Sequence, residues 1–172
     1  ADHILVRKKP MASVYLALGA NEGDRKKFLQ DAVVLIQKHI GLVGKESSVY
    51  ETASWGYEDA DYLNMVLFVE TSLTAKDLLK ACLAIEKRMG RKRQGEQESY
   101  TARCIDVDIL YYDNFICEEE NLSLPHPRLH QRRFVLEPLV EIAPTYVHPY
   151  LKKTHRELLE ICGDQLHVKH YE

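Results

Sequence analysis

The run Cys104-Ile105-Asp106-Val107-Asp108-Ile109-Leu110 limits what this chain can fold into more than any other. A β-strand turns successive side chains to opposite faces, so Ile105, Val107 and Ile109 share one face and can enter a core. Asp106 and Asp108 share the other face, with Cα atoms about 6–7 Å apart. Strands disfavour Asp, and two neighbouring carboxylates repel each other. Two readings account for such a pair. The acids can lie on a solvated sheet face, or they can hold hard divalent cations through carboxylate oxygens. Mg²⁺ is commonly bound by one or two carboxylates together with substrate phosphates, which links Asp-x-Asp to metal–nucleotide chemistry.

Other elements can be read around this strand. Val14-Tyr15-Leu16-Ala17-Leu18 is a short apolar strand, ended by Gly19-Ala20-Asn21-Glu22-Gly23-Asp24. Asp24 is placed to cap a helix in which Phe28, Ala32, Leu35, Ile36 and Ile40 recur at helical spacing, stopped by Gly41 and Gly44. A β-prone stretch around Val43–Thr52, a loop from Ser54 to Asp61 and a strand over Asn64–Leu73 follow. Thr74-Ala75-Lys76-Asp77 resembles a capping box with Asp in place of Glu. It opens a helix over Ala75–Met89 expected to bury Leu78, Leu79, Cys82, Leu83 and Ile85, with Gly90 where a C′ glycine belongs. Arg91–Thr101 reads as a polar loop, Cys104–Tyr112 as the acid-bearing strand, and Phe115–Glu118 as its hairpin partner through Asp113-Asn114. A helix is expected at Phe134–Glu141 and another from Thr154, where Thr154-His155-Arg156-Glu157 is a capping box. The order β-α-β-β-α-β followed by further helices predicts an α+β fold. The expected form is a ferredoxin-like antiparallel sheet with helices on one face and additional C-terminal helices.

No repeat, low-complexity segment or linker interrupts residues 1–172, so a single domain is expected. Met11 stands where a natural start would, with residues 1–10 then either a remnant ahead of it or native sequence. Lys+Arg is 23 and Asp+Glu is 26, a net charge of −3 that argues against a nucleic-acid partner. No apolar run approaches the roughly 20 residues of a membrane span, and the N-terminus lacks the apolar core of a secretory signal. Cys82, Cys104, Cys117 and Cys162 form no CxxC pair and read as reduced packing residues, so a cytoplasmic location is expected. The chain is expected to be a monomer.

Three further segments carry chemistry. Lys87, Arg88, Arg91, Lys92, Arg93 and Arg103 crowd the approach to Asp106. Guanidinium forks match phosphate oxygens bidentately, so Arg91, Arg93 and Arg103 suit a polyphosphate clamp, with a solvated surface loop as the alternative. Pro125-His126-Pro127-Arg128-Leu129-His130-Gln131-Arg132-Arg133-Phe134 is a second basic cluster, either reaching the same anion or forming a cationic surface turn. Thr52-Ala53-Ser54-Trp55-Gly56 and Asp61-Tyr62-Leu63-Asn64 combine aromatic rings with an amide. They can hold a flat heteroaromatic ring, or Trp55 and Tyr62 can cap the core.

Together these segments resemble the 6-hydroxymethyl-7,8-dihydropterin pyrophosphokinase family of folate biosynthesis. The resemblance runs from about Ser13 to Pro149. It rests on Tyr15-Leu16-Ala17-Leu18-Gly19-Ala20-Asn21, Tyr50-Glu51-Thr52, Asp61-Tyr62-Leu63-Asn64, Ile85-Glu86 with Gly90-Arg91, Arg103 through Leu110, Pro125-His126-Pro127-Arg128, and Phe134-Val135-Leu136-Glu137-Pro138-Leu139. The resemblance implies that ATP gives its β,γ-pyrophosphoryl unit to the pterin hydroxymethyl group and leaves as AMP. It implies two Mg²⁺ ions on Asp106 and Asp108, and Arg91 and Arg103 as the arginines that neutralise the triphosphate. It places Glu86, Arg93, Tyr100, Ile109, His126 and Arg132 at ATP contacts, and Thr52, Ala53, Trp55, Tyr62, Asn64 and Phe134 around the pterin. Two departures stand out: Ala53 and Ser54 replace prolines common in the family, and Tyr100-Thr101-Ala102-Arg103 replaces Trp-Gly-Pro-Arg. Another metal-dependent nucleotidyl or phosphoryl transferase and a non-catalytic ferredoxin-like binding module are the rivals. Tyr62 and Asn64 argue against the first. The second, as an RNA binder, needs exposed aromatics on central strands, where this chain has Asp106 and Asp108.

Overall fold

Strand β1 (Ala12–Ala20) is paired along both edges. On one side it meets β4 (Tyr62–Thr71), from Ala12 opposite Thr71 to Ala20 opposite Leu63. On the other it meets β5 (Asp106–Tyr112), from Val14 opposite Tyr112 to Gly19 opposite Asp106. Both pairings are antiparallel. The computed structural model describes residues 10–52, 61–90 and 104–172. Of the expected loop from Ser54 to Asp61 all but Asp61, and the whole of the expected loop Arg91–Thr101, lie outside the described residues.

Between β1 and β4 run α1 (Arg25–His39), β2 (Gly41–Glu46) and β3 (Tyr50–Thr52). The expected β-prone stretch is thus two strands, both laid along β4, and Ser47 joins them. Its backbone N–H donates to the Val66 carbonyl (2.9 Å), and its hydroxyl accepts from Val66 N–H (2.9 Å). Gly41 is needed at the start of β2, because a Cβ there would stand 2.1 Å from the Glu70 carbonyl oxygen. Helix α2 (Ala75–Met89) precedes β5 with the expected bounds. The chain then forms β6 (Cys117–Glu118), β7 (Ser123–Leu124), a 3-10 turn at Leu129–Gln131, α3 (Arg133–Ile142), α4 (His155–Glu160) and β8 (Val168–His170). The main sheet runs β5-β1-β4-β3-β8, with β2 also on β4.

Local signals explain the helix starts. Asp24 accepts from Lys27 N–H, and Thr74 from Asp77 N–H. At α4 the box is complete: the Thr154 hydroxyl accepts from Glu157 N–H, and the Glu157 carboxylate accepts from Thr154 N–H. Pro138 lies within α3 and is buried.

Two cores form, one on each face of the sheet. Val14, Leu16 and Leu18 of β1 pack with Leu29, Ala32 and Ile36 of α1, Leu78, Cys82 and Ile85 of α2, and Ile105, Val107 and Ile109. On the opposite face, Tyr15, Val66, Leu110 and Tyr111 pack with Leu129, Val135, Leu136, Leu139 and Leu158. The expectation of helices on one face is therefore corrected, because α3 and α4 cover the other. A register shift between Tyr15 and Leu16 lets both Leu110 and Tyr111 face this second core.

Three smaller expectations also change. Leu83 is 48% exposed, because at α2 the buried stripe is Leu78, Cys82, Ile85 and Glu86. Gly90 has φ −89°, so it closes α2 through its N–H to the Glu86 carbonyl without a left-handed turn. Residues 117–118 pair with β7 rather than β5, because the chain leaves the main sheet after Tyr112.

The second core contains two histidines. His155 donates Nδ1–H to the Ala143 carbonyl (2.8 Å), and its Nε2 accepts from the Tyr111 hydroxyl (2.9 Å). His148 Nδ1 accepts backbone N–H from Tyr150 (3.2 Å) and Leu151 (3.0 Å). Burial lowers both from 6.5 to about 4; the Ala143 bond partly opposes this at His155, and His130 adds to it at His148. Between those values the unfolded chain binds more protons than the folded one, so stability is lost as pH falls through that window. Thermal denaturation should show a melting temperature that is level near neutrality and falls from about pH 6.5 toward about pH 4. His148→Asn, which keeps an acceptor for the two N–H groups, should shrink that fall. An unchanged slope in the variant would exclude His148 from the effect.

Candidate active site

The two ladders of β1 set the site's main dimension. Asp106 lies opposite Gly19, and Gly19 lies opposite Asn64. Directly opposed residues of antiparallel strands share a face. With neighbouring strands about 4.8 Å apart, Asp106 and Asn64 stand in one row about 10 Å apart. Asp108 lies opposite Ala17 in the next row on the same face. The floor between is small by composition. A Cβ at Gly19 would come within 3.2 Å of Asn64 Oδ1 and 3.8 Å of Tyr62 Cδ1, so glycine keeps the amide in place.

A cavity of about 1220 Å³ opens over these rows. At one end Asn64 is buried, and its Nδ2 donates to Thr52 Oγ1 at 2.7 Å. Tyr62 lies beside this amide above Gly19, and Phe134 lines the same cavity. The Arg132 guanidinium lies 5.6 Å from the Phe134 ring centroid. The start of α3, which carries these two side chains, is held from a distance. Arg133 N–H donates to Asp164 Oδ2 (3.0 Å), and Arg133 Nε to the Asp164 carbonyl (3.2 Å).

Asp106 and Asp108 line the same cavity as the basic side chains His126, Arg128, His130, Arg132 and Lys153, with His126 close enough to feel Asp108, Arg132 and Arg128. His126 is anchored by its N–H to the Leu110 carbonyl (2.9 Å). Its Nδ1 accepts from Arg128 N–H (3.2 Å), which leaves Nε2–H as the donor of the neutral ring. Burial lowers the His126 pKa; Asp108 opposes this, and Arg132 and Arg128 add to it.

The structure thus brings Thr52, Tyr62, Asn64, Asp106, Asp108, His126, Arg132 and Phe134 onto one cavity. Two expected ATP contacts sit elsewhere. Ile109 is in the core beneath the sheet. Glu86 is buried on α2 and accepts from Val107 N–H (2.9 Å), bracing β5 between its two acids. Ala53, Trp55, Arg91, Arg93, Tyr100 and Arg103 lie outside the described residues. The sequence reading passed over Gly19, Lys153 and Gln165, which also line the cavity. Gly19 ends an apolar strand and reads locally as a stop. Lys153 and Gln165 arrive only when the C-terminal segment folds back.

The donors suit hard cations. Among the described residues no group of three or more His, Cys, Asp or Glu side chains could hold a metal ion by itself. Two carboxylates on a cavity wall match an ion that fills its remaining positions with phosphate and water, as Mg²⁺ does. An acidic pair and basic side chains on one cavity, with a buried amide beside Tyr62 about 10 Å from the acids, are the groups that transfer of phosphate to a flat polar acceptor would use.

Comparison with known proteins is specific. The family model for 7,8-dihydro-6-hydroxymethylpterin-pyrophosphokinase (HPPK) matches residues 15–144. A 2-amino-4-hydroxy-6-hydroxymethyldihydropteridine pyrophosphokinase of Aquifex aeolicus is 39% identical over 148 residues, 86% of this chain and 90% of that protein. The Bacillus subtilis protein of the same name is 45% identical over 130 residues, 74% of this chain and 76% of its own length. Among solved structures, a Plasmodium falciparum HPPK-DHPS chain superposes with a TM-score of 0.75 at 18% identity, covering 91% of this chain and 46% of that one. This chain therefore spans less than half of that two-part protein, and the likeness there is one of fold. The chain belongs to the 7,8-dihydro-6-hydroxymethylpterin-pyrophosphokinase family.

Thr52→Val should leave a buried Asn64 N–H without its partner and cost about 1–3 kcal/mol of stability in chemical denaturation. A change within about 0.3 kcal/mol would mean that the amide finds an equivalent acceptor, and that Thr52 does not orient it.

Proposed function

We propose that this cavity seats ATP over Asp106 and Asp108 and the pterin against Asn64, and that the row through Gly19 sets their separation. The reaction follows from the family: an ATP-dependent pyrophosphokinase moves a pyrophosphoryl unit from ATP to 6-hydroxymethyl-7,8-dihydropterin in folate synthesis. The observation that carries the residue roles is the placement of the acids and the buried amide on one face, opposed across β1.

In this reading Asn64, oriented by Thr52, hydrogen-bonds the polar edge of the pterin, and Tyr62 and Phe134 enclose its faces, with Ala53 and Trp55 completing that end. Asp106 and Asp108 would hold two Mg²⁺ ions, which would neutralise charge on the triphosphate oxygens. His126 Nε2–H and Arg132 donate to phosphate oxygens, with Arg93 and Tyr100 as the remaining nucleotide positions, while Glu86 and Ile109 act only through the packing of β5. Arg91 and Arg103 neutralise the charge that shifts during transfer. The acceptor hydroxyl oxygen attacks the β-phosphorus in line and releases its proton to solvent, the bond from that phosphorus to the α,β-bridging oxygen breaks, and AMP departs. The protein's contribution is positioning and electrostatic stabilisation.

The sheet order β5-β1-β4-β3, with α1 and α2 on one face, supports reading the core as ferredoxin-like. The mutual packing of all described elements supports one domain over residues 1–172. The described helices include none long and apolar enough to cross a membrane. We take the protein as a cytoplasmic monomer that binds these two small molecules and no nucleic acid.

The test is incubation with Mg-ATP and 6-hydroxymethyl-7,8-dihydropterin, followed by chromatographic separation of nucleotides. AMP should appear in step with the pterin diphosphate and only with both substrates; ADP would contradict the transfer. Asp106→Ala and Asp108→Ala should each lower turnover by about a thousandfold or more with a near-normal melting curve. Retained turnover in either would overturn the metal assignment. Arg103→Ala should lower kcat far more than nucleotide affinity, and an equal loss in both would make it a uniform binding residue.

A further inference from the structure

Arg25, the first residue of α1, is not among the residues lining the cavity, and its partner Glu51 lies opposite Leu63 on the α1 face of the sheet. One terminal nitrogen, Nη1, donates to Glu51 Oε2 at 3.0 Å and also to the Asp61 backbone carbonyl. These acceptors are adjacent to the residues that enter the site. Glu51 immediately precedes Thr52, Asp61 immediately precedes Tyr62, and Thr52 pairs with Tyr62 across the β3–β4 ladder. The guanidinium therefore ties Glu51, which pairs with Leu63 inside the ladder, to Asp61, one residue beyond its last pair, and Asn64 with its bond to Thr52 lies two residues in from Tyr62.

The C-terminal segment reaches the same ion pair, β8 through Glu51 and Tyr171 through the guanidinium. Lys169 pairs with Glu51 across β3–β8, and its Nζ lies 3.5 Å from Glu51 Oε1, the carboxylate oxygen that Arg25 does not use. The Tyr171 ring lies under the guanidinium, with Cζ 5.5 Å from its centroid, and Tyr171 N–H donates to the Val49 carbonyl at 2.9 Å. Both residues lie beyond the segment matched by the family, 15–144.

We propose that Arg25 is a positioning residue for the acceptor end of the cavity, and that β8 and Tyr171 hold it in that role. The inference rests on assigning the Thr52–Asn64 end to the pterin. Removing the guanidinium unties the two strand ends that present Thr52 and Tyr62, and with them the orientation of the Asn64 amide. Asp106, Asp108 and His126 stand on β5 and the segment after it, on the far side of β1, and are untouched. A general loss of structure would weaken both ligands, whereas loss of this tie weakens one.

The experiment compares Arg25→Met, Arg25→Lys and Tyr171→Leu with the unaltered protein. 6-Hydroxymethyl-7,8-dihydropterin is titrated by fluorescence into protein saturated with a non-hydrolysable ATP analogue and Mg²⁺, and the analogue is titrated separately. Arg25→Met should weaken pterin binding about tenfold and leave analogue affinity within about twofold. Arg25→Lys, which keeps the charge, should recover part of the loss, and Tyr171→Leu should shift pterin affinity the same way by less. If Arg25→Met melts well below the unaltered protein, Arg25→Lys and Tyr171→Leu decide the question by the same split. An equal fall in both affinities, or unchanged pterin affinity in a folded variant, overturns the inference. If the unaltered protein binds the analogue and not the pterin, the acceptor assignment fails, and this inference fails with it.

Discussion

The double pairing of β1 is the constraint on which the rest depends. Every backbone N–H and C=O in a sheet interior needs a partner, and a central strand meets that need on both edges at once. Its register is therefore set twice, by β4 and by β5, and a slip of one residue would carry Val14, Leu16 and Leu18 out of one core. The same ladders fix Asp106, Gly19 and Asn64 in a row. The site's spacing thus comes from backbone hydrogen bonds, which are stiffer than any side-chain contact across it.

The second layer has a different task. Helices α3 and α4 cover only part of the face that bears the acids, and the uncovered part is the cavity. Segments that line the cavity are tied back by individual polar contacts: His126 to Leu110, and Arg133, between the lining residues Arg132 and Phe134, to Asp164. Among the described residues no buried side-chain nitrogen or oxygen lacks a partner. Such ties orient groups without needing a large apolar core around a site that must accept a charged ligand.

Much of this was legible along the chain because the signals are local. The alternation Ile105-Asp106-Val107-Asp108-Ile109 separates a core face from a polar one, as the structure has it. The caps at Asp24, Thr74 and Thr154 lie where their side chains reach the N–H three residues on. Signals that failed depend on partners distant in sequence. Leu83 fits the helical spacing of α2, but which stripe faces inward depends on where the sheet lies, and the sheet leaves Leu83 outside. Residues 117–118 follow a turn after β5 and read as its hairpin partner, yet their partner is β7. Strand β8 carries no alternating apolar pattern and exists because the edge of β3 is open to it.

The sequence by itself determined the helices and their caps, the polar face of the acid-bearing strand and the family, because these rest on residue type and spacing within short windows. Tertiary structure alone decided that the helices divide between the two faces, that Gly19 is the floor between the acids and the amide, and that the C-terminal segment returns to the site. Those features depend on which strand edges and apolar faces remain unfilled once the neighbouring elements have packed, and no local window contains that information.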